Sequence, residues 1–340
     1  MNRFSFTILS IVIAQTVSAQ SLFVNALKQQ YFPKNIPAGN YSGMAHIADN
    51  DYAVVSDKSS EDGFFVFNIT TDAATGRIMN ARNKGFHSIG TNMGDLEAVA
   101  YDSKAKLLYI CSEAKNRVVE YDMTANRLTG NALDLSAYYD GLEGNGGIES
   151  LCYDNDTQLL WTINEKPQKQ DTSGDAYILR LMSFDKGFHL TATYPYLMDA
   201  PKAKTTEGCI HVMGVSEIAA VGEGNILVLE REFYVPKMKL GAYCICKIYI
   251  VRPSASDSIS YNQTLRAGTQ FIHKEKLTEW TTSLSMFGRS IANYEGMCLG
   301  PQLNNGNRLL MLVADSQNQY RGVLRDWFKS IVLSPTKDSE

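Results

Sequence analysis

Acidic residues recur at one place in repeated segments of this 340-residue chain. In each segment, a short polar lead-in carries a glutamate just before an apolar run. Carboxylates that converge on one position repel one another, and a bound cation or a proton must relieve that repulsion. Oxygen-only ligands are typical of a hard metal, so the pattern predicts a divalent-metal site with Ca²⁺ as the expected ion. The predicted metal ligands are Glu97, Glu149, Glu217 and Glu295.

A structural role for the same glutamates is the alternative. Repeat signatures often encode packing, because each repeat is stabilised by its neighbours. A carboxylate in such a position can accept hydrogen bonds from backbone N–H groups of the neighbouring sheet and fasten the two sheets together. The two roles can coexist, and the sequence leaves both open.

A second set of acidic residues follows the second apolar run of each segment, and cations come soon after it. Its members are Asp57, Glu113, Glu165, Glu230 with Glu232, and Asp315. When one turn joins two antiparallel strands, this position returns to the end of the sheet that carries the first glutamates. We therefore expect both sets to surround one opening.

Such an opening could hydrolyse a small anionic or ester substrate. Carboxylates can activate water, while Lys and Arg can hold phosphate or carboxylate oxygens. The predicted catalytic residues are Glu165, Glu230 and Glu232, and the predicted substrate-binding residues are Lys115, Lys166 and Arg231. The alternative is that these charges form weak, solvated pairs at strand ends.

Other familiar catalytic patterns are missing from the sequence. The five histidines show neither HxH nor HxxxH spacing, which disfavours a histidine metal site. There is no GxSxG elbow, no GxxxxGK[ST] phosphate loop and no Rossmann glycine pattern. Serine hydrolases of the elbow type, nucleotide hydrolases and dehydrogenases are therefore disfavoured.

The acidic segments read as pairs of β-strands joined by tight polar turns. Their runs are short, rich in β-branched or aromatic residues, and bounded by Asp, Asn, Ser or Gly. The clear copies are 94–113, 147–165, 214–232 and 293–315, and a weaker copy at 40–57 has Ser42 where the others have a glutamate. Strand candidates follow most copies, and helical periodicity is nearly absent. The repeats predict an all-β, single β-propeller with five repeats counted and six blades possible; two separate domains are the alternative.

The whole-chain composition is that of a folded protein, with 44% hydrophobic and 20% charged residues. The formal net charge of −4 gives no general attraction to nucleic acid. Residues 1–19 have a basic start, an apolar run and small residues at the end, which predicts a secretory signal peptide cleaved near Ala19. We therefore expect a secreted or periplasmic protein of residues 20–340, monomeric and without a membrane span.

Six cysteines fall into two groups. Cys111, Cys152 and Cys298 lie inside apolar strand-like runs and are predicted to be core thiols. For the others, a bridge from Cys209 to one of Cys244 and Cys246 is compatible with an exported protein, although spacing alone does not establish it.

The repeated segments also resemble a known family. GDLEAVAYD, GIESLCYDNDTQLLWTINE, GVSEIAAVGEGNILVLERE and NYEGMCLGPQLNNGNRLLMLVADSQNQ are similar to segments of the phytase-like domain, described as having esterase-like activity and found in exported bacterial proteins. The resemblance implies a β-propeller and a hydrolase acting on an ester or a phosphomonoester. Ser42 and Gly43 depart from the acidic lead-in, so the ring of acids lacks one member. The alternative from a different class is a non-catalytic propeller that binds a ligand or a protein partner.

Overall fold

A computed structural model describes residues 22–139, 147–171, 174, 176–286 and 288–335 of the chain. Within them the chain forms five antiparallel sheets, each of which is one blade of a β-propeller. The predicted all-β propeller is confirmed, and the described residues form five blades, not six. Three short 3₁₀ helices lie between strands, at Lys169–Asp171, Ala255–Asp257 and Tyr320–Gly322.

The first three blades follow one another along the chain after two short N-terminal strands, β1 (Leu22–Ala26) and β2 (Gln30–Tyr31). Their strands are, for blade 1, β3 (Tyr41–Ala48), β4 (Asp51–Ser56), β5 (Gly63–Thr71) and β6 (Ile78–Ser88); for blade 2, β7 (Leu96–Asp102), β8 (Leu107–Ser112), β9 (Arg117–Asp122) and β10 (Arg127–Asp134); and for blade 3, β11 (Ser150–Asp154), β12 (Leu159–Ile163), β13 (Ile178–Phe184) and β14 (Leu190–Leu197).

The last two blades differ from the first three: blade 4 has a long connection, residues 252–273, between its third and fourth strands, and blade 5 has only three consecutive strands. Their strands are, for blade 4, β15 (Ile210–Gly222), β16 (Asn225–Val235), β17 (Tyr243–Val251) and β18 (Lys274–Ser283); and for blade 5, β19 (Asn293–Gln302), β20 (Arg308–Asp315) and β21 (Trp327–Pro335). Strands β1 and β2 complete blade 5, since both pair with β21. The N-terminal strand therefore closes the ring, which leaves fewer exposed sheet edges.

The first strand of each blade lies at the centre. Strands β3, β7, β11, β15 and β19 contact one another in that cyclic order, and β19 also contacts β3. Two glycines permit this close approach: a Cβ atom on Gly43 would lie 2.8 Å from the Cα of Ala98, and one on Gly296 would lie 3.1 Å from the backbone of Gly43. Apolar side chains of adjacent blades pack between the sheets.

Polar turns join the first two strands of the repeats as predicted. In blade 2, Asp102 accepts hydrogen bonds from the backbone of the turn that follows it, and Asp154 does the same in blade 3. Lys106 and Gln158 both adopt a positive φ of 60° at the end of these turns. This turn geometry sets the register that places the acidic lead-in of one strand beside the acidic end of the next.

All six cysteines are free thiols. Cys111 and Cys152 are buried as predicted, Cys298 is partly buried, and Cys244 and Cys246 are buried side by side in β17 with their sulfur atoms 3.8 Å apart. The structure therefore shows no bridge to Cys209. No helix among the described residues is long and apolar enough to cross a membrane.

Candidate functional site

β-bulges aim one side chain of most central strands into the mouth of the channel. The pairing of β7 with β8 skips Glu97, and the pairing of β19 with β20 skips Glu295. A residue left out of the ladder in this way is re-aimed, and bulges are common beside functional sites. The same shift leaves out Ser42 in blade 1 and Ser216 in blade 4.

Ser216, and not Glu217, occupies the ring position of blade 4. Its hydroxyl donates to the carbonyl oxygen of Tyr294 at 3.0 Å, just as the Ser42 hydroxyl donates to that of Leu96 at 2.7 Å. Each acceptor is the residue before a ring glutamate of the next blade. The ring therefore consists of three glutamates and two serines: Ser42, Glu97, Glu149, Ser216 and Glu295.

Glu217 has the structural role that the sequence left open. Its side chain is fully buried, and its Oε1 accepts hydrogen bonds from the backbone N–H groups of Ile218 at 2.9 Å and of Leu151, in blade 3, at 3.1 Å. Burial raises the pKa of this carboxyl well above its usual value, although the N–H donors oppose the rise. The prediction of Glu217 as a fourth ligand of the ring is corrected accordingly, since the carboxylate fastens blades 3 and 4.

Arg231 lies among three of the predicted site carboxylates. Its Nη2 lies 2.8 Å from Oε1 of Glu165 and 3.8 Å from Oε2 of Glu149, while its Nη1 donates to Glu295. Nη1 also donates to the side-chain oxygen of Asn293 at 2.9 Å. Burial opposes the charge, but the three carboxylates raise the pKa of Arg231, so it remains a cation. The guanidinium thus supplies part of the positive charge that the sequence predicted from a metal.

The other two predicted substrate-binding residues differ from Arg231 in their surroundings. Lys166 is half-buried, and its Nζ lies 2.7 Å from Oε2 of Glu165. Lys115 is exposed, and its side chain makes no hydrogen bond or ion pair with the residues that the structure describes. Lys58, one of the cations that follow the second acidic set in the sequence, pairs with Asp57 at 2.6 Å on the blade 1 side of the mouth.

The blade 1 and blade 2 side of the ring keeps an excess of carboxylates. Within the described ranges, the Glu97 carboxylate has neither a hydrogen bond nor an ion pair, and Oδ1 of Asp57 is buried without a partner. Burial and then the nearby Glu295 raise the pKa of Glu97 well above its usual value and raise that of Asp315 to about 8. Burial also raises the pKa of Glu113, against the hydrogen bond that it accepts from the N–H of Gly147.

Glu230 and Glu232 point to the opposite side of β16 from Arg231, because side chains alternate along a strand. Glu230 accepts hydrogen bonds from the hydroxyl of Tyr196 at 2.7 Å and from Nζ of Lys274 at 2.5 Å. Glu232 accepts from the backbone of residues 202 and 203 at 2.9 and 2.7 Å. The expectation that both acids face the mouth is corrected: they anchor the connection between blades 3 and 4.

Sequence reasoning missed Ser216, and it placed Lys58 and Asp315 near the opening without giving either a catalytic or binding role. The signal for Ser216 was present, since the GVSEI segment carries a serine before its glutamate and the 40–57 copy carries Ser42 at the ring position. The raised pKa of Asp315 had no sequence signal, because it depends on burial and on Glu295. Across the described part of the chain, no group of three or more His, Cys, Asp or Glu side chains is arranged to hold a metal ion.

Comparisons with known proteins bear on the family. A model of the phytase-like family, described as "Esterase-like activity of phytase", matches residues 36–317. The chain belongs to this family. The matched range contains all five ring residues as well as Arg231 and Asp315. No curated protein matches the sequence.

Solved structures with a similar arrangement are remote in sequence. An auxiliary nutrient binding protein from Bacteroides thetaiotaomicron is 10% identical, with 93% of this chain and 78% of that chain covered and a TM-score of 0.36. Hydrazine synthase from Kuenenia stuttgartiensis is 8% identical, with 89% and 90% covered and a TM-score of 0.36. A β-propeller domain from Myceliophteria thermophila is 8% identical, with 91% of each chain covered and a TM-score of 0.35. These matches carry no inference about function.

Proposed function

We propose that this phytase-like protein is an ester hydrolase whose reaction takes place at the mouth of the propeller. One observation carries the proposal: Arg231 binds the carboxylates on one side of the ring, while on the other side the half-buried Glu97 has no partner among the described residues and Oδ1 of Asp57 is buried without one. Buried, unpaired carboxylates are costly unless they have a catalytic or ligand-binding role. The family description supports ester chemistry.

A divalent cation, with Ca²⁺ as the expected ion, is part of the proposal for the unpaired side of the ring, although no three of the described His, Cys, Asp or Glu side chains are arranged to hold one. Its donors are all carboxylate oxygens, and one of them, Oδ1 of Asp57, is a buried atom without a partner. Glu97 and Asp57 would hold the ion, with Glu149 and Glu295 at the edge of the ring. When bound, such an ion polarises a substrate oxygen or lowers the pKa of water.

Asp315 is the best-placed proton donor and acceptor. General acid–base catalysis works best when the pKa of the group lies near the operating pH, and the pKa of Asp315 is raised to about 8. Its Oδ1 accepts the N–H of Gln317 at 2.6 Å, which orients the carboxyl group. Glu165 is less accessible to a substrate, because Arg231 and Lys166 already contact its two oxygens at 2.8 and 2.7 Å.

The charge balance of the mouth separates two substrate classes. Carboxylates outnumber cations there, so an uncharged carboxylic ester can approach the ring without help. A phosphomonoester carries negative charge and needs the added cation, together with Arg231, Lys166 or Lys58, to offset the repulsion. The dependence of each activity on Ca²⁺ therefore distinguishes the two.

Export is part of the proposal. The predicted signal peptide, residues 1–19, lies outside the described residues. We expect the protein to reach the periplasm or the medium with cleavage near Ala19. N-terminal sequencing of the exported protein tests this, and an intact Met1 in that fraction would contradict it.

The hydrolase assignment is tested with the mature protein on an aryl acetate and an aryl phosphate, each with added Ca²⁺ and with EDTA. Asp315→Asn and Glu97→Gln should lower kcat by about 100-fold or more, since both remove ionisable groups from the mouth. Glu232→Gln is the matched control: once circular dichroism shows that it is folded, it should retain activity. Full activity of both the Asp315→Asn and Glu97→Gln variants, or no hydrolysis of either substrate by the wild type, would overturn the assignment and favour a non-catalytic binding propeller.

A further inference from the structure

A cavity of about 690 Å³ lies beside the mouth, between blades 1 and 5. Its walls come from the segment before β3, from blade 1 and from the segment after β20. The volume is within the range of natural small-molecule sites. None of the predicted catalytic or metal-ligating residues lines it, so it is distinct from the ring.

One wall of the cavity is aromatic. Phe65 and Phe86 meet at a ring-centroid distance of 5.0 Å and an interplanar angle of 62°, and Phe86 remains 36% exposed. Phe86 lies close to the backbone at Gly63, where a Cβ atom would fall 2.5 Å from Cζ of Phe86. The pair therefore presents a fixed, exposed aromatic surface to the cavity.

The other walls are mostly polar, and they include two charged residues, Lys58 and Glu61. Five uncharged polar side chains there have no hydrogen-bond partner within the described residues, although they carry both donors and acceptors. The clearest case is Asn40, which is only 8% exposed. The polar side chains of this set are those of Asn40, Ser59, Ser60, Gln317 and Asn318.

The two residues contributed by the 315–319 segment lie in a strained turn. Gln317, Asn318 and Gln319 have consecutive positive φ values of 47°, 54° and 54°. Such a run is costly for residues with side chains, and strained backbone is concentrated at functional sites. Asn318 is held there by a hydrogen bond from its N–H to the carbonyl of Gly39 at 3.0 Å. The turn directs two amide side chains into the cavity.

Two links join the cavity to the ring. Asp315 orients the turn by accepting the N–H of Gln317, and Lys58 lines the cavity while its Nζ binds Asp57. Of the two charged residues in the lining, Lys58 binds Asp57, and Glu61 accepts a hydrogen bond from the hydroxyl of Ser88. A ligand group inside would therefore meet an aromatic face, neutral hydrogen-bonding groups and two charged side chains that already have partners.

We propose that this cavity binds an uncharged, hydroxyl-rich ring, such as a pyranose, which is the non-reacting part of the substrate. An aromatic face packs against the C–H face of such a ring, while amides and hydroxyls match its hydroxyl groups. The role as part of a substrate site rests on the proposed hydrolase function; binding of the sugar ring does not.

The test is direct binding to the mature protein, without any reaction. A glycan array of neutral saccharides identifies ligands, and saturation-transfer NMR with methyl pyranosides measures their affinity. Phe86→Ala should weaken binding about 10-fold, and Asn318→Gly about 5-fold. Glycine suits the left-handed backbone, so Asn318→Gly removes the amide without unfolding the turn. The matched control is Met79→Ala, an exposed apolar residue in the same strand as Phe86 but outside the cavity.

Each outcome bears on the proposal separately from hydrolysis. Binding that Phe86→Ala and Asn318→Gly weaken, and that Met79→Ala and Glu97→Gln leave unchanged, supports it even if no ester is hydrolysed. Failure of all neutral saccharides to bind overturns it, as does binding that neither cavity variant weakens. Binding of aryl or alkyl compounds alone also overturns it, because the polar wall would then have no role.

Discussion

Replacement of Arg231 by methionine gives a quantitative test of the ring. The residue is 5% exposed, and its guanidinium contacts Glu165 at 2.8 Å, Glu149 at 3.8 Å and also Glu295. Breaking a buried ion pair by removal of one partner costs about 3–5 kcal/mol, because the remaining charge is left uncompensated. Arg231→Met should therefore lower the free energy of unfolding by about that amount at pH 8, as measured by urea denaturation.

The same variant should show a characteristic pH dependence. Burial raises the pKa of Glu149 and Glu295 even with Arg231 present, and loss of the cation raises both further. A carboxyl whose pKa is higher in the folded state stabilises that state below its unfolded pKa of about 4.3, and this contribution is lost as the pH rises through its folded value. The cost of Arg231→Met should thus be small near pH 4 and should grow towards pH 8.

A matched control is available on the surface. Arg252 also pairs with a glutamate, Glu275, at 3.0 Å, but the two side chains are 28% and 37% exposed. Arg252→Met should cost less than about 1 kcal/mol at any pH in this range. The reasoning would be refuted if Arg231→Met cost no more than Arg252→Met, or if its cost were the same at pH 4 and pH 8.

Three further variants probe how the blades are held together. Because burial raises the pKa of Glu217, the free energy of unfolding should decline as the pH rises above about 4.3. Glu217→Gln should flatten this decline between pH 5 and pH 8, as measured by urea denaturation. An unchanged dependence of the free energy of unfolding on pH would contradict this prediction. Arg180 and Asp171 are fully buried and 2.6 Å apart, so Arg180→Met should lower the free energy of unfolding by about 3–5 kcal/mol. The double variant that also carries Asp171→Leu should recover much of that loss. Additive losses in the two single variants and the double variant would contradict this coupling. Gly43→Ala should lower the free energy of unfolding by about 1–3 kcal/mol in thermal denaturation, because the new Cβ meets the backbone of β7. Gly268→Ala, which has open space around the new Cβ, should be neutral. Equal effects of the two substitutions would show that the close approach of β3 and β7 is unimportant.

The repeated segments predicted the fold because the signal is local. Strand lengths, turn residues and the two acidic positions can all be read from neighbouring residues in the chain, and the segments at 94–113 and 147–165 form the first two strands of blades 2 and 3. The closure of blade 5 by β1 is different. It joins residues about as far apart in sequence as the chain permits, so no local pattern announces it.

Assignment of the site residues was less complete because a strand has two sides. The sequence placed Glu217, Glu230 and Glu232 with the ring, since each lies within a residue or two of the expected position. A bulge in β15 moves Ser216 into the ring, and alternation along β16 turns Glu230 and Glu232 away from Arg231. A shift of one residue changes the face on which a side chain lies, and hydrophobic pattern alone does not locate that shift.

The sequence by itself therefore determined that this chain is a propeller of the phytase-like family, with acids and cations recurring at strand ends. Only the tertiary structure decided which of them meet. Arg231 lies among carboxylates from three segments far apart in the chain, and the pKa of Asp315 is raised by burial and by Glu295 on the neighbouring strand. Desolvation and charge–charge contact depend on distances between atoms of different segments. Those distances are fixed when the ring of blades closes.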